Sequence, residues 1–146
     1  MDFDKFLRKY VWDEHKTPYL TPAQALTRRQ AHYELAAYAV FLSILFGAVS
    51  LASLVGSAGP PRSAGAAVYA FTVVCAAIIL GFSRNGIAAI YAGTAPLAAV
   101  VYLLVNGIRP DWGSIDIIAV TLFICIWMAY AWRVIRIGRR YESMDE

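Results

Sequence analysis

A chain of 146 residues is long enough for one domain and too short for two ordinary ones. Its hydrophobic fraction is 60% against 16% charged, and the charges are poorly mixed: Arg62 stands alone between Leu35 and Phe82, and none falls between Asn85 and Ile108. A soluble fold of this size has no means of hiding so much apolar surface, so the composition excludes one and points to an integral membrane protein.

The first predicted element is a short amphipathic helix. In MDFDKFLRKYV, Phe3, Phe6, Leu7, Tyr10 and Val11 fall at i, i+3, i+4, i+7 and i+8, which is one helical face. Asp2, Asp4, Lys5, Arg8 and Lys9 occupy the other. Such a helix is expected to lie in a membrane interface with Trp12 at headgroup level, or to pack the same face on a partner protein. The stretch WDEHKTPYL follows, where Pro18 and Pro22 bias Thr17 and Thr21 to extended backbone. Residues 1–21 therefore read as an interfacial helix plus a stiffened strap.

The Asp13-Glu14-His15 cluster in that strap is a poor metal site. Consecutive side chains diverge, and His15 with His32 and Glu34 has no recognised ligand spacing. His32-Tyr33-Glu34 spells the H-x-E of zinc deaminases, but no P-C-x-x-C completes it. No metal and no other cofactor is expected.

Residues 22–146 are predicted to form a four-helix transmembrane domain. Thr21 to Gln24 (TPAQ) spells a capping box with Pro22 at the first helical position, so one helix is expected from Pro22 into the first crossing, residues 33–56. Its projecting turns carry Arg28 and Arg29. Further crossings are predicted at 66–82, 87–106 and 115–132, each close to the roughly 20 residues that cover a 30 Å hydrocarbon core. None alternates with period 2, so helices and not barrel strands are expected. GSAGPPRSAG and NGIRPDWGS are Pro/Gly loops, and GFSRNG is a tight turn. Eleven Lys and Arg fall in the two terminal regions and that central turn, against Arg62 and Arg109 in the other two loops. The imbalance places both termini in the cytoplasm.

Within the crossings, polar chemistry is sparse. Glu34, Asp116 and Arg133 sit at helix ends, so no proton relay or voltage-sensing ladder is expected in mid-membrane. In the third crossing, YAGTAP marks a helix break: Pro96 has no N–H for the carbonyl of Ala92, and Gly93 and Thr94 loosen the same turn. A locally compensated kink is the favoured reading, and a solute site at a broken helix is the alternative. Small residues recur at spacing four in Ser43/Gly47, Ala48/Ala52, Ala77/Gly81 and Ala89/Gly93, a pattern that permits close helix approach. Phe123, Trp127 and Tyr130 form a stripe suited to lipid, to core packing or to a quinone-like ligand. Cys75 and Cys125 read as small buried hydrophobes. Beyond Trp132, Arg133, Arg136 and Arg140 share a face suited to anionic headgroups or an acidic partner.

The expected fold class is an all-α integral membrane protein: a four-transmembrane-helix bundle with an N-terminal amphipathic interfacial helix and both termini cytoplasmic, in a bacterial cytoplasmic (inner) membrane. The expected function is a non-catalytic accessory or scaffold subunit of a larger membrane protein complex. The alternatives are a small-solute permease or channel subunit using the Gly93/Pro96 break, and a membrane enzyme or binder of a quinone or lipid. Expected partners are membrane lipids and other membrane subunits or copies of the chain, with no nucleic acid. Docking is assigned to Phe3, Phe6, Leu7, Tyr10, Trp12, Arg28, Arg29, Arg133, Arg136 and Arg140, and no catalytic residue is assigned.

Overall fold

The structure, a computed structural model, describes residue 23 and residues 26–55, 64–107 and 112–144. The predicted interfacial helix and strap lie outside the described residues, and with them Phe3, Phe6, Leu7, Tyr10 and Trp12. Among the described residues the regular structure is helical throughout. The helices are α1 (Arg28–Val55), α2 (Ala64–Ser83), α3 (Gly86–Ala92), α4 (Ala95–Asn106) and α5 (Ser114–Arg140), with a 3-10 turn at Tyr141–Ser143. Counting α3 and α4 as one interrupted element, four helices are long and apolar enough to cross a membrane.

Helix α1 begins at Arg28 and not at Pro22. The capping box that starts it is Thr27-Arg28-Arg29-Gln30: Thr27 N–H donates to Gln30 Oε1 (3.1 Å) and Gln30 N–H donates to Thr27 Oγ1 (3.4 Å). Leu26 and Ala31, at the two staple positions around the cap, are both buried. The chain spells Thr-x-x-Gln twice, and the copy at Thr27–Gln30 is followed at once by buried residues at helical spacing: Ala31, Glu34, Leu35, Tyr38 and Leu42. With 28 residues, α1 is about 42 Å long, about two turns more than a hydrocarbon core needs.

Helix α2 lies antiparallel along α1, the most extensive helix contact among the described residues. Its inner face is small: Ala67, Ala70, Val73, Ala77 and Leu80 are buried, and a Cβ placed on Gly81 would rest 3.4 Å from Ala39 Cβ. At the other end Ser50 Oγ reaches the carbonyl of Ala67 (3.5 Å). The turn into α3 is tight. Arg84 takes a left-handed φ of 52°, unusual for a residue with a Cβ, and Asn85 caps α3 by accepting from Ile87 N–H (2.8 Å).

Helix α5 packs on α3 through missing side chains. A Cβ on Gly138 would stand 2.5 Å from Ala89 Cβ, and one on Gly93 would stand 2.5 Å from Ile135 Cδ1. Two of the small pairs in the sequence, Ala77/Gly81 and Ala89/Gly93, therefore lie at helix contacts. Gly47, from another pair, has nothing within 4 Å. At its start α5 is capped by Asp116 Oδ2 accepting from Gly113 N–H (2.9 Å). Asp116 in the first turn and Arg139 and Arg140 in the last complement the helix dipole.

The exterior is strongly apolar. Ile44, Leu51, Phe71, Phe82, Leu104 and Ile118 all stand exposed, a surface of the kind that marks a membrane or a protein partner. Cys75 is half-buried, Cys125 is exposed, and both thiols are free.

Replacing Gly138 by alanine is expected to force α5 away from α3 and to destabilise the protein by about 1–3 kcal/mol. Thermal unfolding in detergent micelles reads this as a lowered midpoint. Gly47→Ala, made where there is space, should leave the midpoint unchanged or slightly raised. Equal effects from the two would show that the Ala89–Gly138 approach does not limit packing.

Candidate functional site

Polar side chains gather at two levels of the bundle. The first is the charged end, where the start of α1, the α2–α3 turn and the end of α5 meet. Glu34 follows the inward face of α1 and is 1% exposed. Its carboxylate accepts two bonds from the Arg133 fork, Nε to Oε2 at 3.0 Å and Nη2 to Oε1 at 2.8 Å. The geometry is bidentate, the strong form of a carboxylate–guanidinium pair. Two opposite charges taken out of water together are tolerable, whereas either one alone is not.

Beside it, Arg84 Nη2 lies 3.1 Å from His32 Nε2, and its Nη1 donates to the carbonyl of Phe82 (3.2 Å). A guanidinium only donates, so Nε2 accepts in this arrangement and carries no proton. The ring of Tyr141 then takes two cations, Arg28 at 5.4 Å and Arg84 at 5.8 Å from its centroid. His32 and Glu34, neighbours in the H-x-E spelling, are thus directed to different elements: one faces the α2–α3 turn and the other α5.

The second level is the interruption between α3 and α4. Helices α3 and α4 part at Gly93 and Thr94, both with right-handed backbone (φ −70° and −75°). Gly93 is therefore needed for space against Ile135 and not for its conformational freedom. Pro96 is buried and leaves Ala92 O without its helical donor. The Tyr38 hydroxyl, arriving from α1, donates to that oxygen at 3.4 Å. Thr94 Oγ1 donates back to Tyr91 O (2.7 Å) and meets the Tyr69 hydroxyl at 2.9 Å. Thr72 Oγ1 donates to Tyr69 O (2.8 Å) and meets the Tyr91 hydroxyl at 2.8 Å. Each hydroxyl around the break is engaged with an atom of the chain itself.

Between α1 and α5 runs an apolar groove of about 260 Å³, lined by Tyr38, Phe41, Phe123, Ile126, Trp127 and Tyr130. The stripe read from the sequence forms one of its walls. Trp127 is buried, edge-on to Phe41 (5.8 Å) and tilted on Phe123 (5.7 Å), while Tyr130 meets Tyr38 at 5.7 Å.

The arginines assigned to docking fall into three groups. Arg133 is held by Glu34, and Arg28 lies over Tyr141. Arg29 is exposed on the first turn of α1. Arg136 and Arg140 are exposed near the end of α5, joined there by Arg139, which the sequence reading did not single out. The Glu34–Arg133 pair was also missed, although a signal existed. Glu34 is the one carboxylate near the start of the first predicted crossing and Arg133 the first cation past the end of the fourth, so the predicted four-crossing topology puts them at one level. Tyr38 carried a weaker signal, a single hydroxyl in an apolar run.

Compared with known proteins, the chain matches no family model, no curated protein and no solved structure.

Removing Arg133 is expected to cost about 3–5 kcal/mol, because the Glu34 carboxylate stays buried without its guanidinium, and removing Glu34 is expected to cost less, since Arg133 is partly exposed. Glu34→Ala and Arg133→Ala should each lower the unfolding midpoint in detergent, and Arg133→Lys should lower it part of the way, since lysine cannot reproduce the fork. Glu34→Leu combined with Arg133→Leu should be milder than either alanine variant. A double variant as damaged as the sum of the singles would show that the pair is not energetically coupled.

Proposed function

We propose that the chain is an integral membrane protein with four crossings and both termini in the cytoplasm, serving as a non-catalytic accessory or scaffold subunit of a larger membrane protein complex. A bacterial cytoplasmic membrane is the home proposed for it. The orientation draws on the excess of Lys and Arg at the termini and the central turn. The subunit role draws on one observation above others: the helix break is closed from within. In transporters built on broken helices, freed carbonyls and helix ends face the solute. Here Tyr38 covers the carbonyl of Ala92, and Tyr69 and Thr94 cover each other. The buried carboxylate at the charged end is likewise committed to Arg133. Polar chemistry of this kind fixes a shape. A rigid shape with an apolar exterior and exposed arginines at one end suits docking.

A second reading, a binder of a quinone or lipid, has the aromatic groove between α1 and α5 in its favour. It calls for a ring-bearing or isoprenoid ligand that quenches Trp127 emission.

The deciding experiment is extraction of the protein with its surrounding lipid, purification through a C-terminal tag, and native mass spectrometry. The subunit reading expects a stoichiometric protein partner, retained when Pro96 is replaced by alanine. Recovery of the chain alone, or with only copies of itself, overturns it. An isoprenoid-sized ligand retained by the wild type and lost in Trp127→Ala would establish the second reading instead.

A further inference from the structure

We infer that the end of α5 carries a binding site for an anionic phospholipid, with Arg136, Arg139 and Arg140 holding the headgroup phosphate. These residues, with Arg133, Trp132 and Ala129, surround an open cavity of about 660 Å³ that Ala23 borders from the other side. The inference rests on the membrane-spanning reading above and is independent of the scaffold role.

Charge comes first. Among the described residues, no carboxylate stands within ion-pairing distance of Arg136, Arg139 or Arg140. Three guanidinium groups within five residues repel one another, and a phosphate diester relieves that repulsion while accepting from planar donors. The backbone gives no help. This is a helix C-terminus, whose carbonyl dipoles disfavour anions, so the side chains must supply the whole attraction.

Depth comes second. Measured from Ser114, Arg133 lies about 28 Å along α5, and Arg136 to Arg140 about 33 to 39 Å. With a hydrocarbon core about 30 Å thick, these three arginines emerge at phosphate level. Trp132 marks the boundary. Its ring is exposed and sits under the Arg136 guanidinium at 5.7 Å, the place and pairing expected of an interfacial aromatic.

The third observation separates a lipid from a free anion. Ala129 lines the same cavity, and Cys125, Leu122 and Ile118 continue its face of α5 into the apolar region at spacings of four, three and four. All four are exposed. Two of them, Ala129 and Cys125, are small and lie directly below the arginines, so an acyl chain finds a shallow track leading away from the phosphate. A soluble phosphate has no use for that track.

The test uses the full-length protein in a neutral detergent, with phosphatidylglycerol or phosphatidylcholine titrated in and bound lipid counted by native mass spectrometry. The wild type should retain phosphatidylglycerol in preference to phosphatidylcholine. Each Arg→Gln substitution at 136, 139 or 140 should weaken phosphatidylglycerol on the order of five-fold, and all three together on the order of a hundred-fold. Gly47→Ala, made in open space on α1, should change it little. Ala129→Trp, which blocks the track and leaves the arginines in place, should weaken the lipid as well, and it decides the matter if the triple variant does not fold. Equal binding of the two lipids, an unaltered triple variant, or displacement of phosphatidylglycerol by equimolar inorganic phosphate would each overturn the proposal. Insertion into phosphatidylcholine vesicles, read separately by flotation, should persist in every variant, and its failure in the wild type would count against the membrane-spanning reading instead.

Discussion

A carboxylate with no exposed surface needs a cation brought to it, and for Glu34 that cation comes from 99 positions further along the chain. The bidentate pair with Arg133 joins α1 to α5, and a fork fixes both rotation and relative height. The rest of α5 is then placed. With Arg133 turned to α1, Trp127 falls beside Phe41, Gly138 and Ile135 fall against α3, and Arg136 and Arg140 are left facing outward. A pair of this kind adds little net stability over apolar residues of the same shape. Its effect is to make every other rotation of α5 costly, because each would bury an unpaired charge.

The same face of α1 serves the second constraint. Tyr38 stands one turn beyond Glu34 and carries its hydroxyl to Ala92 O, the acceptor that Pro96 leaves open. In hydrocarbon there is no water to take such a carbonyl. The proline at the α3–α4 break leaves an acceptor that calls for a donor from a neighbouring helix, and α1 provides it. Thr94 deals with the adjoining carbonyl locally, by bonding back to Tyr91 O. One helix face thus sets the position of α5 and closes the break between α3 and α4.

Much of this was legible in the sequence because composition and punctuation are local signals. Unbroken apolar runs gave the four helices, and Gly93, Thr94 and Pro96 announced where the third divides. The start of α1 was misplaced because Thr21–Gln24 and Thr27–Gln30 spell the same box, and only the onset of buried spacing at Ala31 tells them apart. Gly138 was hidden for a different reason. It lies in RVIRIGRR, a segment whose arginines suggest a solvated tail, and nothing local reveals that Ala89 approaches it. The partnerships of Glu34 and Tyr38 depend on the relative rotation of helices far apart in sequence. Periodicity fixes which face of a helix is inward but not which neighbour that face meets.

Exposed leucine and isoleucine do not by themselves argue for a protein neighbour, since lipid tails are as apolar as they are. What can select a neighbour in a membrane is a polar contact or a close approach of backbones. The contacts of Tyr38 with Ala92 O and of Glu34 with Arg133 are made inside the bundle, and the close approaches at Gly81, Gly93 and Gly138 are made within the chain. Discrimination is thereby concentrated where polar groups face outward, above all at Arg136, Arg139 and Arg140. A protein partner that docks there must bring anionic groups of its own and must first displace the lipid phosphate that those arginines would otherwise hold. Lipid and partner are in that case competitors for one surface. On the subunit reading proposed above, the composition of the surrounding leaflet sets how readily the chain assembles with its partner.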